Sequence, residues 1–202
     1  MLKIGITSNI KEYYKGYIDF IDHYWLNYFE KKNINYYLVP NKKKLSQKKI
    51  EEINLLIIPG GNDVSNSLNT SKIRNIIETN LIKICFKKKI PILGICRGAQ
   101  LLNKSYGGKI KKIQNHMRTR HNIFFVKNNI VKNNFLNVNS FHNDGIKKND
   151  LSKKFNMIAN DKDENVEMFI SKNKKIIGTM WHPEREKNTI LLDKLIYYLN
   201  NK

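Results

Sequence analysis

Residues 90–100 read IPILGICRGAQ, an apolar run that leads directly into a cysteine flanked by glycines. Because residues 90–95 show no polar alternation, they predict a strand that is buried on both faces of a sheet. Gly94 and Gly98 stand two residues before and two after Cys96, a spacing typical of a nucleophile elbow between a strand and a helix. The helix predicted at 99–105 would direct backbone N–H groups and a partial positive charge at the sulfur, which favours a thiolate and a bound oxyanion.

Strand and helix patterns alternate before and around this stretch, which predicts an α/β fold with a parallel sheet covered by helices on both faces. Ligands of such sheets bind beyond the carboxyl ends of the strands, where Cys96 lies. After Gly107-Gly108 the pattern changes to shorter strands separated by turns. The predicted strands are 2–7, 36–39, 54–58, 90–95, 122–126, 136–139, 155–159, 166–170 and 175–181, and the predicted helices are 17–32, 71–89, 99–105 and 188–199.

The composition predicts one folded domain over residues 1–202, since 41% of the residues are hydrophobic and Gly and Pro number only 10 and 4. No apolar run approaches the roughly 18 residues of a membrane helix, and the N-terminal apolar stretch is too short for a signal peptide. Two cysteines without paired ligand spacing indicate a reducing compartment. We therefore expect a cytoplasmic protein with no membrane partner, no cofactor and no metal; the oligomeric state stays open.

The net charge of +20 suggests nucleic acid as a partner, because lysine and arginine neutralise phosphates. The lysines are scattered in short runs, however, and asparagine is equally abundant throughout the chain. This scattered distribution indicates a compositional bias more than a binding face, so nucleic-acid binding is not expected as the main function. The positive field would still favour an anionic substrate.

A thiol nucleophile needs a base, and that base needs an orienting group. Residues 181–184 read WHPE, and the proline disfavours an α-helix, so His182 and Glu184 can point to the same side. Cys96, His182 and Glu184 are therefore the candidate catalytic residues. Cys85 is expected to be a small buried hydrophobe, and the remaining histidines before residue 122 are expected to be ordinary core or surface residues.

Four segments occur in an order that resembles the class I glutamine amidotransferase superfamily, and within it the γ-glutamyl hydrolase branch, peptidase C26. They read PGGNDV at 59–64, GICRGAQ at 94–100, VNSFH at 138–142 and WHPE at 181–184. The resemblance covers nearly the whole chain. It implies a three-layer α/β/α fold with a mostly parallel, flavodoxin-like central sheet.

By this resemblance Cys96 is the nucleophile, His182 the general base and then acid, and Glu184 the residue that orients His182. Cys96 would attack a γ-glutamyl carbonyl carbon, the amine would leave, and water would hydrolyse the thioester to release glutamate. The resemblance implies an oxyanion hole made of backbone N–H groups from Gly60, Gly61 and Arg97, and a substrate-binding set of Arg97, Gln100, Ser140, Phe141 and His142. Whether His142 takes part in chemistry or only shapes the pocket stays open.

The residue after the nucleophile bears on the type of reaction. Arg97 is more typical of the hydrolases than of the ammonia-channelling glutaminases, although a glutaminase subunit that serves a partner synthetase remains an alternative. A binding module without turnover, held to nucleic acid by its charge, is a third possibility. Asp144 stands where the family often has glutamine, so the residues that form the far side of the pocket stay undetermined.

A basic segment, residues 109–121, follows the nucleophile helix and contains Arg118 and Arg120. These guanidinium groups would meet the phosphates of a nucleotide-linked leaving group. A solvated charged loop is an equally good interpretation of any single residue there. The expected partner is thus a small γ-glutamyl compound whose leaving group is open.

Overall fold

The computed structural model describes residues 2–43, 45, 47–65, 67–126, 129–173 and 175–201. The helices within these ranges are all too short or too polar to cross a membrane. The strands are β1 Lys3–Thr7, β2 Asn9–Tyr13, β3 Gly16–Phe20, β4 Asn35–Val39, β5 Leu55–Ile58, β6 Ile92–Ile95, β7 Lys111–Lys112, β8 Met117–Phe125, β9 Phe135–Phe141, β10 Asp144–Gly145, β11 Phe155–Asn160, β12 Val166–Ser171 and β13 Ile176–Thr179. The α-helices are α1 His23–Lys31, α2 Gln47–Glu51, α3 Asn69–Lys88, α4 Arg97–Ser105 and α5 Ile190–Asn200, and short 3-10 turns occur at Lys148–Asp150 and Pro183–Arg185.

Nine strands form one sheet in the order β4-β1-β5-β6-β13-β12-β11-β8-β9. Neighbours from β4 to β13 pair in parallel, whereas those from β13 to β9 pair antiparallel. The parallel half arises where helices cross between strands, and the antiparallel half where short connections join them. The predicted α/β fold is thus confirmed, and β6 carries Cys96 at its carboxyl end, inside the parallel half.

Strand β5 shows why the sheet has two covered faces. Leu55 and Ile57 belong to one apolar cluster, which also contains Trp25 of α1 and Leu195 of α5. The alternate residues of β5, Leu56 and Ile58, belong to a second cluster together with residues of α3 and α4. Because side chains alternate along a strand, the sheet must lie between these two helical layers.

The helix predicted at 17–32 is wrong in its first part. Gly16–Phe20 forms β3, which pairs antiparallel with β2 in a separate hairpin, and the helix begins at His23, after Asp22 accepts a hydrogen bond from the Tyr24 N–H at 3.1 Å. The hairpin reverses at Tyr14, which has a left-handed φ of 51° and lacks the Asn-Gly signal of a tight turn. Each of the other predicted strands and helices overlaps an observed one, with ends shifted by a few residues.

Candidate active site

Cys96 occupies the sharp turn between β6 and α4. Its φ of 50° and ψ of −106° are strained for a residue with a side chain. Two features hold this conformation: the Cys96 N–H donates to the Thr179 carbonyl at 2.7 Å, and Gly98 lies so close to β5 that an added Cβ would collide with the carbonyl oxygen of Ile58. The backbone therefore has the strand-turn-helix geometry of a nucleophile elbow.

His182 and Glu184 meet at the end of the parallel sheet. Nδ1–H of His182 donates to Oε1 of Glu184 at 2.7 Å, and each residue is only 4% exposed. Pro183 begins a short 3-10 turn, which brings the two side chains together on one side. This pair is the base-and-orienter arrangement that the WHPE segment predicts.

The charge state of His182 connects this pair to the cysteine. Burial lowers the pKa of His182, but the charges of Glu184 and Cys96, and hydrogen bonds with both residues, outweigh burial and raise the pKa to about 10. The Cys96 sulfur therefore lies close enough to interact with the imidazole. The imidazole is thus placed to exchange a proton with the candidate nucleophile.

Two contacts missed by the sequence analysis position His182. Asn139 accepts a hydrogen bond from the His182 N–H at 2.9 Å and donates one to the His182 carbonyl at 2.8 Å. Gly60 packs against the ring, where an added Cβ would lie 2.5 Å from Cε1 of His182. The backbone of His182 is thus held by β9, and its imidazole packs against the Pro59-Gly60-Gly61 turn.

The turn at residues 59–61 is itself anchored by a buried arginine. Arg74 of α3 donates to the carbonyl oxygens of Pro59 at 2.9 Å and Gly60 at 3.2 Å. Its Nε also donates to Glu78 at 2.9 Å, and both side chains are fully buried. Burial alone would raise the pKa of Glu78, but Arg74 and Arg97 together lower it and keep the carboxylate ionised.

Arg97 completes this ion network, and the contacts of its side chain do not support a substrate-binding role. It is 1% exposed, and its guanidinium binds Glu78 as well as the side-chain oxygen of Asn75. Substrate contact through the Arg97 side chain therefore has no support in this geometry. Its backbone N–H, at the start of α4, is unaffected by this argument.

The predicted substrate-binding side chains divide into two groups. Gln100 and Ser140 are buried and donate to backbone carbonyls, Gln100 to Asp144 at 2.8 Å and Ser140 to His116 at 2.6 Å. Phe141, in contrast, is 37% exposed, and its ring meets that of His182 edge-on with 5.7 Å between centroids. Gln100 and Ser140 are therefore engaged in bonds within the fold, while Phe141 presents its surface beside the candidate base.

His142 and Asp144 follow shortly after the end of β9. Nδ1 of His142 binds the Asp144 carbonyl at 3.0 Å, while burial, followed by the charge of His116, lowers the pKa of His142 to about 3. The Asp144 carboxylate pairs with Lys112 at 2.9 Å. Cys85 lies in the core, where burial raises its pKa to about 12, as expected of an unreactive structural thiol.

Two cavities adjoin the candidate site. The smaller, about 220 Å³, is lined by Gly60, Gly61, His182 and Glu184 and by residues of the β2–β3 hairpin. The larger, about 780 Å³, includes none of the candidate catalytic residues in its lining, but it is bordered by basic side chains. These side chains are Arg120, Arg185, Lys187 and Lys194. Arg185 lines both cavities.

Comparisons with known proteins identify the family of this chain. The model of the peptidase C26 family matches residues 4–184. The γ-glutamyl-CDP-amidate hydrolase of Campylobacter jejuni is 40% identical over 138 residues, which are 66% of this chain and 64% of that protein, so the match spans less than two thirds of that relative. A glutamine-hydrolysing GMP synthase subunit of Methanococcus vannielii is 30% identical over 162 residues, covering 76% of this chain and 79% of that one.

A solved structure gives the same result for the fold. The crystal structure of a glutamine amidotransferase from Thermotoga maritima superposes with a TM-score of 0.72 over 99% of this chain and 83% of that one, at 18% identity. At such identity the likeness concerns the fold, and it confirms the predicted glutamine amidotransferase type. On the family match and the order of its motifs, this chain belongs to the peptidase C26 family.

Proposed function

We propose that this protein hydrolyses a γ-glutamyl amide bond through a covalent thioester on Cys96. The observation that carries the proposal is the buried His182–Glu184 pair, with 2.7 Å between Nδ1 and Oε1, whose imidazole also interacts with Cys96. A strained cysteine at a helix N-terminus, a histidine and a carboxylate supply the three roles of nucleophile, acid-base and orienter.

The reaction follows from these roles. The Cys96 sulfur attacks the γ-carbonyl carbon, and His182 holds the proton that the thiol gives up. The carbon–nitrogen bond breaks as His182 protonates the leaving nitrogen, and a glutamyl thioester remains on Cys96. Water, deprotonated by His182, then attacks the thioester and releases glutamate and the thiol. One water molecule is consumed for each amide cleaved.

Backbone N–H groups would stabilise the oxyanion of each tetrahedral intermediate. The proposed donors are Arg97 at the start of α4 and one of the two glycines at the Gly60-Gly61 turn. Arg74 supports this role indirectly, because it binds carbonyl oxygens of residues 59 and 60 and thereby fixes the turn. Gln100, Ser140 and His142 would position the segment 140–144 beside the glutamyl group, and Phe141 would contact that group with its exposed ring.

The proposed substrate is γ-glutamyl-CDP-amidate, with glutamate and cytidine diphosphoramidate as products, a reaction of capsular phosphoramidate biosynthesis. The similarity to the Campylobacter jejuni hydrolase supports it. The basic lining of the larger cavity also supports it, because Lys187 and Lys194 offer positive charge to a diphosphate close to the candidate site. Arg185 lies in the same lining, although it pairs with Asp22 at 2.7 Å. Arg120, from the predicted basic segment, lies in that lining, although it also pairs with Glu186 at 3.1 Å.

Substrate competition tests this proposal. The protein would be incubated separately with γ-glutamyl-CDP-amidate, γ-glutamyl-γ-aminobutyrate and glutamine, while glutamate release is followed and the Cys96 thioester is trapped for mass spectrometry. We expect the highest kcat/KM with γ-glutamyl-CDP-amidate and a glutamyl adduct on the peptide that contains Cys96. Equal or better turnover of γ-glutamyl-γ-aminobutyrate would rule out the nucleotide-linked substrate but leave the proposed hydrolase activity standing. Absence of any adduct with all three compounds would rule out the hydrolase activity itself.

A glutaminase subunit is the second candidate, favoured by the 30% identity to a GMP synthase subunit. It predicts slow glutamine turnover by the isolated protein and strong activation by a synthetase. Glutamine turnover that exceeds that of the γ-glutamyl amides would favour this alternative. Salt-dependent retention on nucleic acid without thioester formation would instead favour a binding module.

A further inference from the structure

Three histidines surround one buried carboxylate near the end of β9. The Nε2 atoms of His121, His116 and His142 lie 3.5, 3.7 and 4.0 Å from Oε1 of Glu167. Glu167 belongs to β12 and is 0% exposed, and His116 and His142 are each 4% exposed. The cluster thus joins β8, the end of β9 and β12 inside the antiparallel half of the sheet.

Five buried polar atoms of this cluster lack ordinary hydrogen bonds. Among the described residues, neither carboxylate oxygen of Glu167, neither ring nitrogen of His121 and not the Nε2 of His142 has a hydrogen-bond partner. The donor–acceptor distance of an N–H···O hydrogen bond is about 2.7–3.2 Å, so the three imidazoles are too far from the carboxylate to form one. Burying a carboxylate without such bonds is costly, and a cation among these atoms would remove that cost.

The spacing matches the edges of a metal coordination shell. Zn–N and Zn–O bonds of about 2.0–2.2 Å in a tetrahedron place neighbouring ligand atoms roughly 3.3–3.6 Å apart. The three distances to Glu167 Oε1 begin in that range and extend slightly beyond it. The ligand atoms of His116, His121 and Glu167 all lie within 4.8 Å of one another, and one small ion can therefore reach all three.

The outer contacts of two of the histidines are those of metal ligands. Nδ1–H of His116 donates to the Gln114 carbonyl at 2.6 Å, and Nδ1–H of His142 donates to the Asp144 carbonyl at 3.0 Å. A metal-binding histidine typically donates one ring N–H to such an acceptor, which leaves the other nitrogen for the ion. In both residues the nitrogen left over is the one that faces Glu167.

One contact would have to change. Nε2 of His116 also lies 2.9 Å from Oδ2 of Asp161, so an ion at this nitrogen would replace the proton it shares there. Asp161 would stay hydrogen-bonded, since it also accepts from the Asp163 N–H and from the backbone and side chain of Asn165.

We propose that His116, His121 and Glu167 bind one divalent transition-metal ion, with His142 next to the site at 4.0 Å from Oε1 of Glu167. Two imidazole nitrogens and one carboxylate oxygen form a donor set suited to Zn²⁺, and three protein ligands leave a fourth position open. The sequence predicts no metal site, because these ligands lie up to 51 positions apart and follow no local spacing. The ion would join β8 to β12.

Titration with Co²⁺ tests the proposal, because tetrahedral Co²⁺ absorbs in the visible range and serves as a probe for Zn²⁺. The Cys96→Ser variant would be used so that the active-site thiol cannot bind the ion. After treatment with a chelator and its removal, we expect one Co²⁺ per chain, a visible absorption band, displacement of that band by one equivalent of Zn²⁺ and an increase in Tm. A folded Cys96→Ser protein that binds less than half an equivalent of Co²⁺ in a saturating titration would overturn the proposal.

Substitutions locate the ion. In the Cys96→Ser background, His121→Gln and Glu167→Gln should each weaken Co²⁺ binding at least about tenfold, whereas His23→Gln, at a histidine outside the cluster, should leave it unchanged. A band that persists in folded Glu167→Gln protein would place the ion elsewhere and overturn the proposal. Circular dichroism establishes which variants fold; if neither cluster variant folds, the stoichiometry and band of the Cys96→Ser protein decide the matter.

Discussion

Asn139 holds both backbone polar groups of His182, accepting from its N–H at 2.9 Å and donating to its carbonyl at 2.8 Å. Strand β9 therefore fixes the height of the candidate base above the sheet, and Glu184 fixes the rotation of its ring. The two constraints come from residues 43 and 2 positions away in the chain. Positioning of His182 thus depends on the packing of the antiparallel half of the sheet against the parallel half.

Asn139→Ala should lower kcat by about tenfold to a hundredfold while KM changes little, because the imidazole loses its backbone anchor and the γ-glutamyl pocket keeps its shape. Steady-state kinetics would separate the two constants. The matched control is Asn156→Ala, at an exposed position of β11. A rise in KM of that size, with kcat unchanged, would contradict a positioning role.

Cys96→Ala should reduce turnover on the order of 10⁶-fold, because the substitution removes the atom that forms the thioester. Tm and circular dichroism should stay close to those of the wild type. Cys85→Ala serves as the control for thiol loss, and it should lower stability through a cavity without removing the activity. A Cys96→Ala protein that keeps a substantial part of the wild-type rate would rule out the covalent mechanism.

Glu184→Gln should lower kcat less than Cys96→Ala does, on the order of 10⁴-fold, because His182 is misoriented but still present. The same substitution should lower the pKa of His182 from about 10 towards its ordinary value, since the charge of Glu184 helps to raise it. Titration of the imidazole by NMR would measure this change, with Glu164→Gln, at an exposed carboxylate, as the control. An unchanged His182 titration would show that Glu184 does not set its charge.

The same pKa has a consequence for stability. Because folding raises the pKa of His182 above its ordinary value of 6.5, the protonated imidazole contributes stability that is fully present below pH 6.5. That contribution should decline as the pH rises towards about 10. Denaturation at several pH values with wild-type and His182→Ala proteins would reveal it, and a wild-type advantage that grows with pH would contradict the assignment.

Gly60→Ala should impair turnover, because the new methyl group would lie 2.5 Å from Cε1 of His182 and displace the ring from Glu184. We expect at least about a tenfold fall in kcat, measured together with Tm. Gly16→Ala is the control, since its added methyl group would have 3.9 Å to the nearest atom, the carbonyl oxygen of Tyr13. Normal kinetics in Gly60→Ala protein would mean that the turn can move aside.

Glu78→Gln should destabilise the fold by about 3–5 kcal/mol, since Arg74 and Arg97 would remain buried without their shared counter-charge. For a chain of this length the expected fall in Tm is about 6–20 °C. Glu52→Gln, which disrupts the half-exposed pair with Lys3, should change Tm little. A similar Tm for both variants would show that the buried network contributes no more than a surface pair.

Local patterns predicted most of the strands and helices, because hydrophobic periodicity and the positions of Gly and Pro act within a few residues. The hairpin of β2 and β3 was missed because the same local patterns resemble those of a helix there. Its apolar residues happen to fall at helical spacing with those of α1, and its turn at Tyr14 has no strong sequence signal. Pairing with β2, and not the local preference of residues 16–20, decides their structure.

Local sequence was enough to define the elbow at Cys96 and the His182–Glu184 pair, since each depends on residues two to four positions apart and on the backbone limits of Gly and Pro. Three-dimensional packing was needed to establish that Arg97 binds Glu78, that Asn139 anchors His182, and that His116, His121 and His142 converge on Glu167. These contacts join residues 19 to 51 positions apart on different strands and helices, where the register and packing of the sheet set the distances and no local periodicity encodes them.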